Sequence, residues 1–136
     1  MRKLLLCVAF GAVFVGAPAA AASPTVRLAI IHVMRGCHVW GTVDSSPLGA
    51  SRTITMTRGT RLQIRVNCPM AFDVVQIAGR KLALGPSRWQ PGTSHTLVFQ
   101  IRGVFKLQAK NVQSSEEMGL ATLGPDNTLV LTIRVR

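Results

Sequence analysis

The side chains with metal-ligand chemistry fall into three short stretches of the chain. They are His38 in RGCHVWG, then Cys68, Met70 and Asp73 in NCPMAFD, and finally Glu116, Glu117 and Met118 in SSEEMG. Imidazole, carboxylate and thioether donors together suit a copper ion of tetragonal or mixed geometry. If the chain folds as a β-sandwich, we expect the loops that carry the three stretches to lie at one end of it.

The same residue types also fit a purely structural interpretation. Met70 and Met118 suit the irregular gaps of a core, where a flexible thioether packs well. His32 lies inside an apolar segment, which predicts a buried, hydrogen-bonded imidazole. His95 borders a turn, and we expect it to be solvated.

The late part of the chain excludes a standard blue-copper site. Such a site needs two histidines, one cysteine thiolate and a weak axial methionine, with most ligands on one late loop. The corresponding stretch, Lys106 to Leu120, contains Met118 but no cysteine and no histidine. The sequence also lacks a Ser/His/Asp or Cys/His constellation and a glycine motif for phosphate binding, so we do not expect an enzyme.

The cysteines favour a disulfide, with metal binding as the alternative. The chain has 3 cysteines, and Cys7 lies in the apolar leader described below. In an oxidising compartment, Cys37 and Cys68 are expected to pair with each other. Alternatively, one or both remain thiols and bind a soft metal.

The first 22 residues have the pattern of a secretory signal peptide. A basic start is followed by the apolar run Leu4 to Val15 and by small residues that allow cleavage after Ala22. This predicts a domain over residues 23–136 that is periplasmic or secreted. No other apolar run is long enough to span a membrane.

The chain is strongly basic, with a formal net charge of +11. Its cations are spread along strand-like segments and favour an anionic partner, such as an anionic lipid or polysaccharide surface. The simpler interpretation is that they are solubilising outer faces. Because export is predicted, nucleic acid is not an expected partner.

Seven segments have the apolar alternation or β-branched composition of strands. Between Gly59 and Gly79, for example, Arg61, Gln63 and Arg65 alternate with apolar residues, as in a strand with one buried face. The seven segments are Thr25–Val33, Thr53–Thr57, Arg61–Val66, Phe72–Ile77, Thr96–Ile101, Val104–Val112 and Thr128–Val135. Short connections between them predict an all-β fold, a Greek-key β-sandwich of about seven strands.

The order of these parts resembles the cupredoxin-like family, in particular its small exported bacterial members. The resemblance rests on RGCHVW, TRGTRLQIRVN, VVQIAG, GVFKLQAKN, EEMG and LGPDNTLVLTIRV. It implies a Greek-key sandwich with copper held between loops at one end. By the same resemblance His38 and Met118 are expected ligands. Where the family usually has a histidine this chain has none, so either Asp73 substitutes as an oxygen donor or the site is lost.

Two functions follow from these patterns. The first is copper binding at a non-blue or degenerate site, for copper handling rather than fast electron transfer, with a copper-handling protein as the expected partner. The second is a metal-free sandwich that uses its basic surface to bind an anionic partner.

Overall fold

The chain folds into two stacked β-sheets. The structure, a computed structural model, describes residues 16–19, 21–33, 38–112 and 128–136. These residues form ten strands and contain no helix long and apolar enough to cross a membrane. The strands are β1 (Thr25–His32), β2 (His38–Gly41), β3 (Pro47–Gly49), β4 (Ser51–Met56), β5 (Arg61–Asn67), β6 (Ala71–Ala78), β7 (Arg88–Trp89), β8 (Ser94–Val98), β9 (Gly103–Val112) and β10 (Thr128–Val135).

Each sheet is mixed and has five strands. The first, sheet I, has the order β3-β2-β1-β5-β8, and the second, sheet II, has the order β4-β10-β9-β6-β7. The parallel pairs are β1 with β5 and β4 with β10, whereas the other neighbours are antiparallel. Strands distant in sequence therefore lie side by side, and the chain passes repeatedly between the sheets.

The predicted all-β sandwich is confirmed, but the expected number of strands was too low. All seven predicted segments form strands, namely β1, β4, β5, β6, β8, β9 and β10. The additional strands β2, β3 and β7 are two to four residues long and lie in stretches rich in glycine or proline. Strands this short have too few residues to show an apolar alternation in the sequence. They are extended because they pair with neighbouring strands.

Alternation along the strands builds the core between the sheets. In β5, Leu62, Ile64 and Val66 are fully buried, and Arg61 and Arg65 are exposed on the other face. The inward residues of both sheets form one apolar cluster. One hydrogen bond also joins the sheets, from Trp40 Nε1 in β2 to the Val130 carbonyl in β10 at 3.1 Å.

Strand β1 is covered on both faces, as its continuous apolar sequence predicts. Its four residues Leu28–Ile31 are all buried. On the outer face, Gly41 makes room for Ile31, because a Cβ at Gly41 would lie 2.6 Å from Ile31 Cδ1. The loop after β2 is tied to the end of β5 by a hydrogen bond from Asn67 Nδ2 to Ser45 Oγ at 3.1 Å.

Several predictions concern residues outside the described ranges. Most of the expected signal peptide, Cys37 and the whole stretch with Glu116, Glu117 and Met118 lie there. The cleavage of residues 1–22 and the role of Met118 therefore stay predictions.

Candidate metal centre

Five strand ends bring polar and sulfur-containing side chains to one end of the sandwich. The carboxyl ends of β1 and β5 are neighbours there, since Ile31 pairs with Asn67 in the parallel ladder. In sheet II, the start of β6 pairs with the end of β9 at the same level, Ala71 with Val112. We call this region the histidine end and define it by His32, His38, Cys68, Met70 and Asn111.

The two histidines of the histidine end continue the inward-facing positions of their strands. His32 follows Leu28 and Ile30 at intervals of two, and His38 precedes the buried Trp40 by two. Because side chains two apart share a strand face, both imidazoles lie on the inner face of sheet I. At this end of the sandwich, the inner face of sheet I therefore changes from apolar side chains to imidazoles.

The two histidines form a direct cross-strand pair. His32 and His38 are opposite one another in the antiparallel ladder of β1 and β2. Their ring centroids are 5.3 Å apart, with the ring planes inclined at 56°. His38 is 1% exposed, whereas His32 is exposed to solvent. The pair thus has one imidazole in the core and one at the surface.

These positions correct two expectations from the sequence. His38 was expected in a loop, but it begins β2 and is buried. His32 was expected to be buried, but it ends β1 and is exposed. Pairing between β1 and β2 explains both differences, since it turns part of the expected loop into strand and places His32 at the open rim.

His38 also contacts sheet II. Its ring lies edge-on to the ring of Phe72, the second residue of β6, with a centroid distance of 5.2 Å. Phe72 is fully buried and pairs with Asn111 in β9. The imidazole of His38 is therefore fixed between the two sheets and not on a free loop.

Two sulfur atoms lie in the short connection between β5 and β6. The Cys68 thiol is hydrogen-bonded to the Met70 carbonyl, with Sγ to O at 3.6 Å. Met70 Sδ lies 3.9 Å from Asn111 Nδ2, and both Cys68 and Met70 pack partly buried against the core. Asn111 Oδ1 is buried without a hydrogen-bond partner among the described residues. The histidine end thus combines imidazole, thioether and thiol groups.

Cys68 forms no disulfide with any residue that the structure describes. Burial raises the pKa of this thiol, and the contact with the Met70 backbone lowers it by a smaller amount. Its expected disulfide partner, Cys37, lies outside the described residues, so the disulfide stays a prediction.

Asp73 lies on the other face of β6 from Phe72. Its carboxylate accepts hydrogen bonds from Arg88 Nε at 2.9 Å and from Arg88 Nη2 at 3.3 Å. The hydrogen bond from Arg88 lowers the pKa of Asp73, and the charge of Arg88 lowers it further. Phe72 and Asp73 are consecutive in β6, so their side chains point to opposite faces of sheet II. Because Phe72 is the residue that contacts His38, the structure does not bring Asp73 together with His38.

His95 lies in β8, the edge strand of sheet I, and is not one of the residues that define the histidine end. Its ring stacks on Trp89, with centroids 4.2 Å apart and planes 5° from parallel, and a ring nitrogen lies 2.8 Å from Thr93 Oγ1. The side chain was expected to be solvated, but the structure shows it partly buried. Burial lowers the pKa of this imidazole.

No group of three or more His, Cys, Asp or Glu side chains close enough to hold a metal occurs among the described residues. A metal at the histidine end would therefore use the histidine pair together with a donor of another kind. Both imidazole and thioether are ligands that copper accepts, so the residues present fit a copper ion in chemical type.

Sequence reasoning ranked His32 below His38, although the structure puts them side by side. The signal that finds His32 is its spacing of two from Leu28 and Ile30 on the inner face. That spacing becomes informative once His38 is known to lie in a strand that pairs with β1.

Comparisons with known proteins give only distant structural likenesses. No protein-family model matches the chain, and no curated protein matches it. Among solved structures, a multi-copper oxidase from Pseudomonas thermotolerans aligns at 15% identity over 86% of this chain and 30% of its own, with a TM-score of 0.45. A cysteine protease inhibitor from Entamoeba histolytica aligns at 11% identity over 63% of this chain and 86% of its own, with a TM-score of 0.39.

The solution structure of amebosin aligns at 19% identity over 62% of this chain and 88% of its own, with a TM-score of 0.32. Matches at these scores carry no argument about what this chain binds. Membership of the cupredoxin-like family therefore remains a resemblance seen in the sequence.

Proposed function

We propose that this protein is an exported, cupredoxin-like copper-binding protein that handles copper and does not carry out catalysis or fast electron transfer. The observation that supports the proposal most directly is the position of His38 on the inner face of sheet I, in ring contact with His32. Imidazole nitrogen is a good copper ligand, and a thioether and a thiol lie in the connection at the same end.

The ligand set expected from the sequence changes in one respect. His38 remains the central ligand, whereas Asp73 is engaged by Arg88 on the outer face of sheet II. Met118 keeps its place as an expected ligand from the sequence. The absence of a cysteine from the late loop favours copper storage or transfer over the strong copper–thiolate coupling of blue sites.

The test is a metal titration of the purified exported protein. We expect one equivalent of copper to bind, and we expect His38→Ala to abolish this binding because it removes the central ligand. Stoichiometry is measured by native mass spectrometry, with Cu(II) under air and Cu(I) under a reductant. His95→Ala is the matched control, since His95 stacks on Trp89 at the sandwich edge. Unchanged copper binding in His38→Ala would contradict the proposal.

A protein that binds copper in neither state would favour the second function. Arg27, Arg61 and Arg65 are exposed on adjacent strands of sheet I. None of these three forms an ion pair within the part of the chain that the structure describes. A face of this kind would bind an anionic surface without metal, and added salt would weaken that binding.

A further inference from the structure

We infer that His32 and His38 form a two-imidazole site for Cu(I), completed by the thioether of Met70. This inference rests on the proposed copper-binding function and specifies the ligands and the oxidation state. It adds His32 and Met70 to the site and removes Asp73 from it.

The first support is the geometry of the pair. The histidines are direct partners across β1 and β2, and their ring centroids are 5.3 Å apart. Imidazole nitrogen binds zinc at about 2.0–2.1 Å, and two rings with this centroid separation are close enough to share one metal ion at a distance of that order. Because each imidazole has two nitrogens, the second nitrogen of each ring stays available for a hydrogen bond, as is common for ligating histidines.

The second support is the rigidity of the inner ligand. His38 is 1% exposed and its ring packs against Phe72 of sheet II. A ligand that is already held in place loses little side-chain entropy when it binds a metal. His32 is exposed at the rim, so the same ion would be accessible from solvent to a copper-handling partner.

The third support is the type of donor at this end. Met70 lies two residues before Phe72, and its Sδ is 3.9 Å from Asn111, the residue that pairs with Phe72. Asp73, the carboxylate of the same segment, is on the opposite face in an ion pair. Imidazole and thioether donors without a carboxylate favour Cu(I) over Cu(II), because thioether sulfur is a soft ligand.

The experiment is a Cu(I) competition titration of the full exported protein against a chromophoric Cu(I) chelator. We expect His32→Ala and His38→Ala each to lower Cu(I) affinity by at least about 10-fold. Loss of a residue that only hydrogen-bonds to a metal ligand typically lowers metal affinity by about 10- to 100-fold, and loss of a ligand itself should cost at least as much. Met70→Leu should also lower the affinity, since leucine keeps the apolar volume but removes the sulfur. His95→Ala and Asp73→Asn are the controls and should leave the affinity unchanged.

His38 is buried, so its variant is first checked for folding by circular dichroism. His32 is exposed, and His32→Ala therefore tests the pair even if His38→Ala unfolds. X-ray absorption of the Cu(I) complex should show nitrogen and sulfur neighbours, with the sulfur signal lost in Met70→Leu.

The outcomes separate this inference from the proposed function. Full Cu(I) affinity in His32→Ala, or tight binding of Cu(II) alone, would overturn the inference and leave copper binding intact. Absence of copper binding in both oxidation states would instead refute the proposed function itself.

Discussion

At the scale of single residues, the histidines differ because of what surrounds each ring. His38 is buried between the sheets, His32 is exposed beside it, and His95 stacks on Trp89 at the edge. The same residue type is therefore a candidate ligand in one place and a packing group in another. Only the first two have the relative position that a shared metal ion requires.

The partly buried imidazole of His95 predicts a pH dependence of stability. Burial lowers its pKa in the folded protein below the ordinary value of about 6.5. The unfolded chain therefore binds more protons between the two pKa values, and the free energy of unfolding falls as the pH drops below about 6.5.

Chemical denaturation at a series of pH values, in wild type and in His95→Gln, measures this effect. As the pH falls below about 6.5, the free energy of unfolding should decrease less in the variant than in wild type, since glutamine does not titrate. Identical pH profiles for the two proteins would show that the titration of His95 is not linked to folding.

At the scale of elements, the pairing of β6 with β9 depends on the glycine that follows β6. The register of this pair shifts between Gln76 and Ala78, and Gly79 follows with φ at +95°. A Cβ at Gly79 would lie 2.6 Å from the Val104 carbonyl oxygen. Glycine is therefore required there both for backbone conformation and for space.

Alanine substitutions at two glycines separate the requirement for a positive φ from the requirement for space. Gly59 also has a positive φ, +87°, but no atom lies within 4 Å of a Cβ added there. We expect Gly59→Ala to lower the free energy of unfolding by about 1–2 kcal/mol from backbone strain. Gly79→Ala should cost roughly 1–3 kcal/mol more, because the backbone of β9 must also move. Equal losses, measured by urea denaturation, would contradict the close approach of the two strands.

At the scale of the whole molecule, two buried tryptophans test how the sheets are held together. Both Trp40 and Trp89 are 0% exposed. Trp40 Nε1 donates a hydrogen bond from sheet I to Val130 of sheet II at 3.1 Å. Trp89 Nε1 has no partner within the described part of the chain.

The contrast predicts a difference between the same substitution at the two sites. Trp40→Phe and Trp89→Phe each remove indole volume from the core, but only the first removes a hydrogen bond between sheets. We expect Trp40→Phe to lower the free energy of unfolding by about 1 kcal/mol more than Trp89→Phe, the usual net value of one hydrogen bond. Equilibrium denaturation of the two variants measures the difference, and an equal or smaller loss in Trp40→Phe would contradict it.

The sequence by itself determined the fold class and seven of the ten strands among the described residues. Alternation such as that of Arg61 to Val66 is a local property, because side chains of a strand that is half buried must alternate between core and solvent. Residue types also excluded a blue-copper site and singled out His38. These conclusions need no knowledge of which strands are neighbours.

The tertiary structure decided which donors meet. His32 and His38 are six positions apart in the chain, and only the pairing of β1 with β2 sets them opposite one another. Asp73 and Phe72 are consecutive, yet they face opposite sides of sheet II, so one contacts Arg88 and the other contacts His38. Contacts across strands and between sheets depend on register and on which face is buried, and these properties are set by packing of the whole chain.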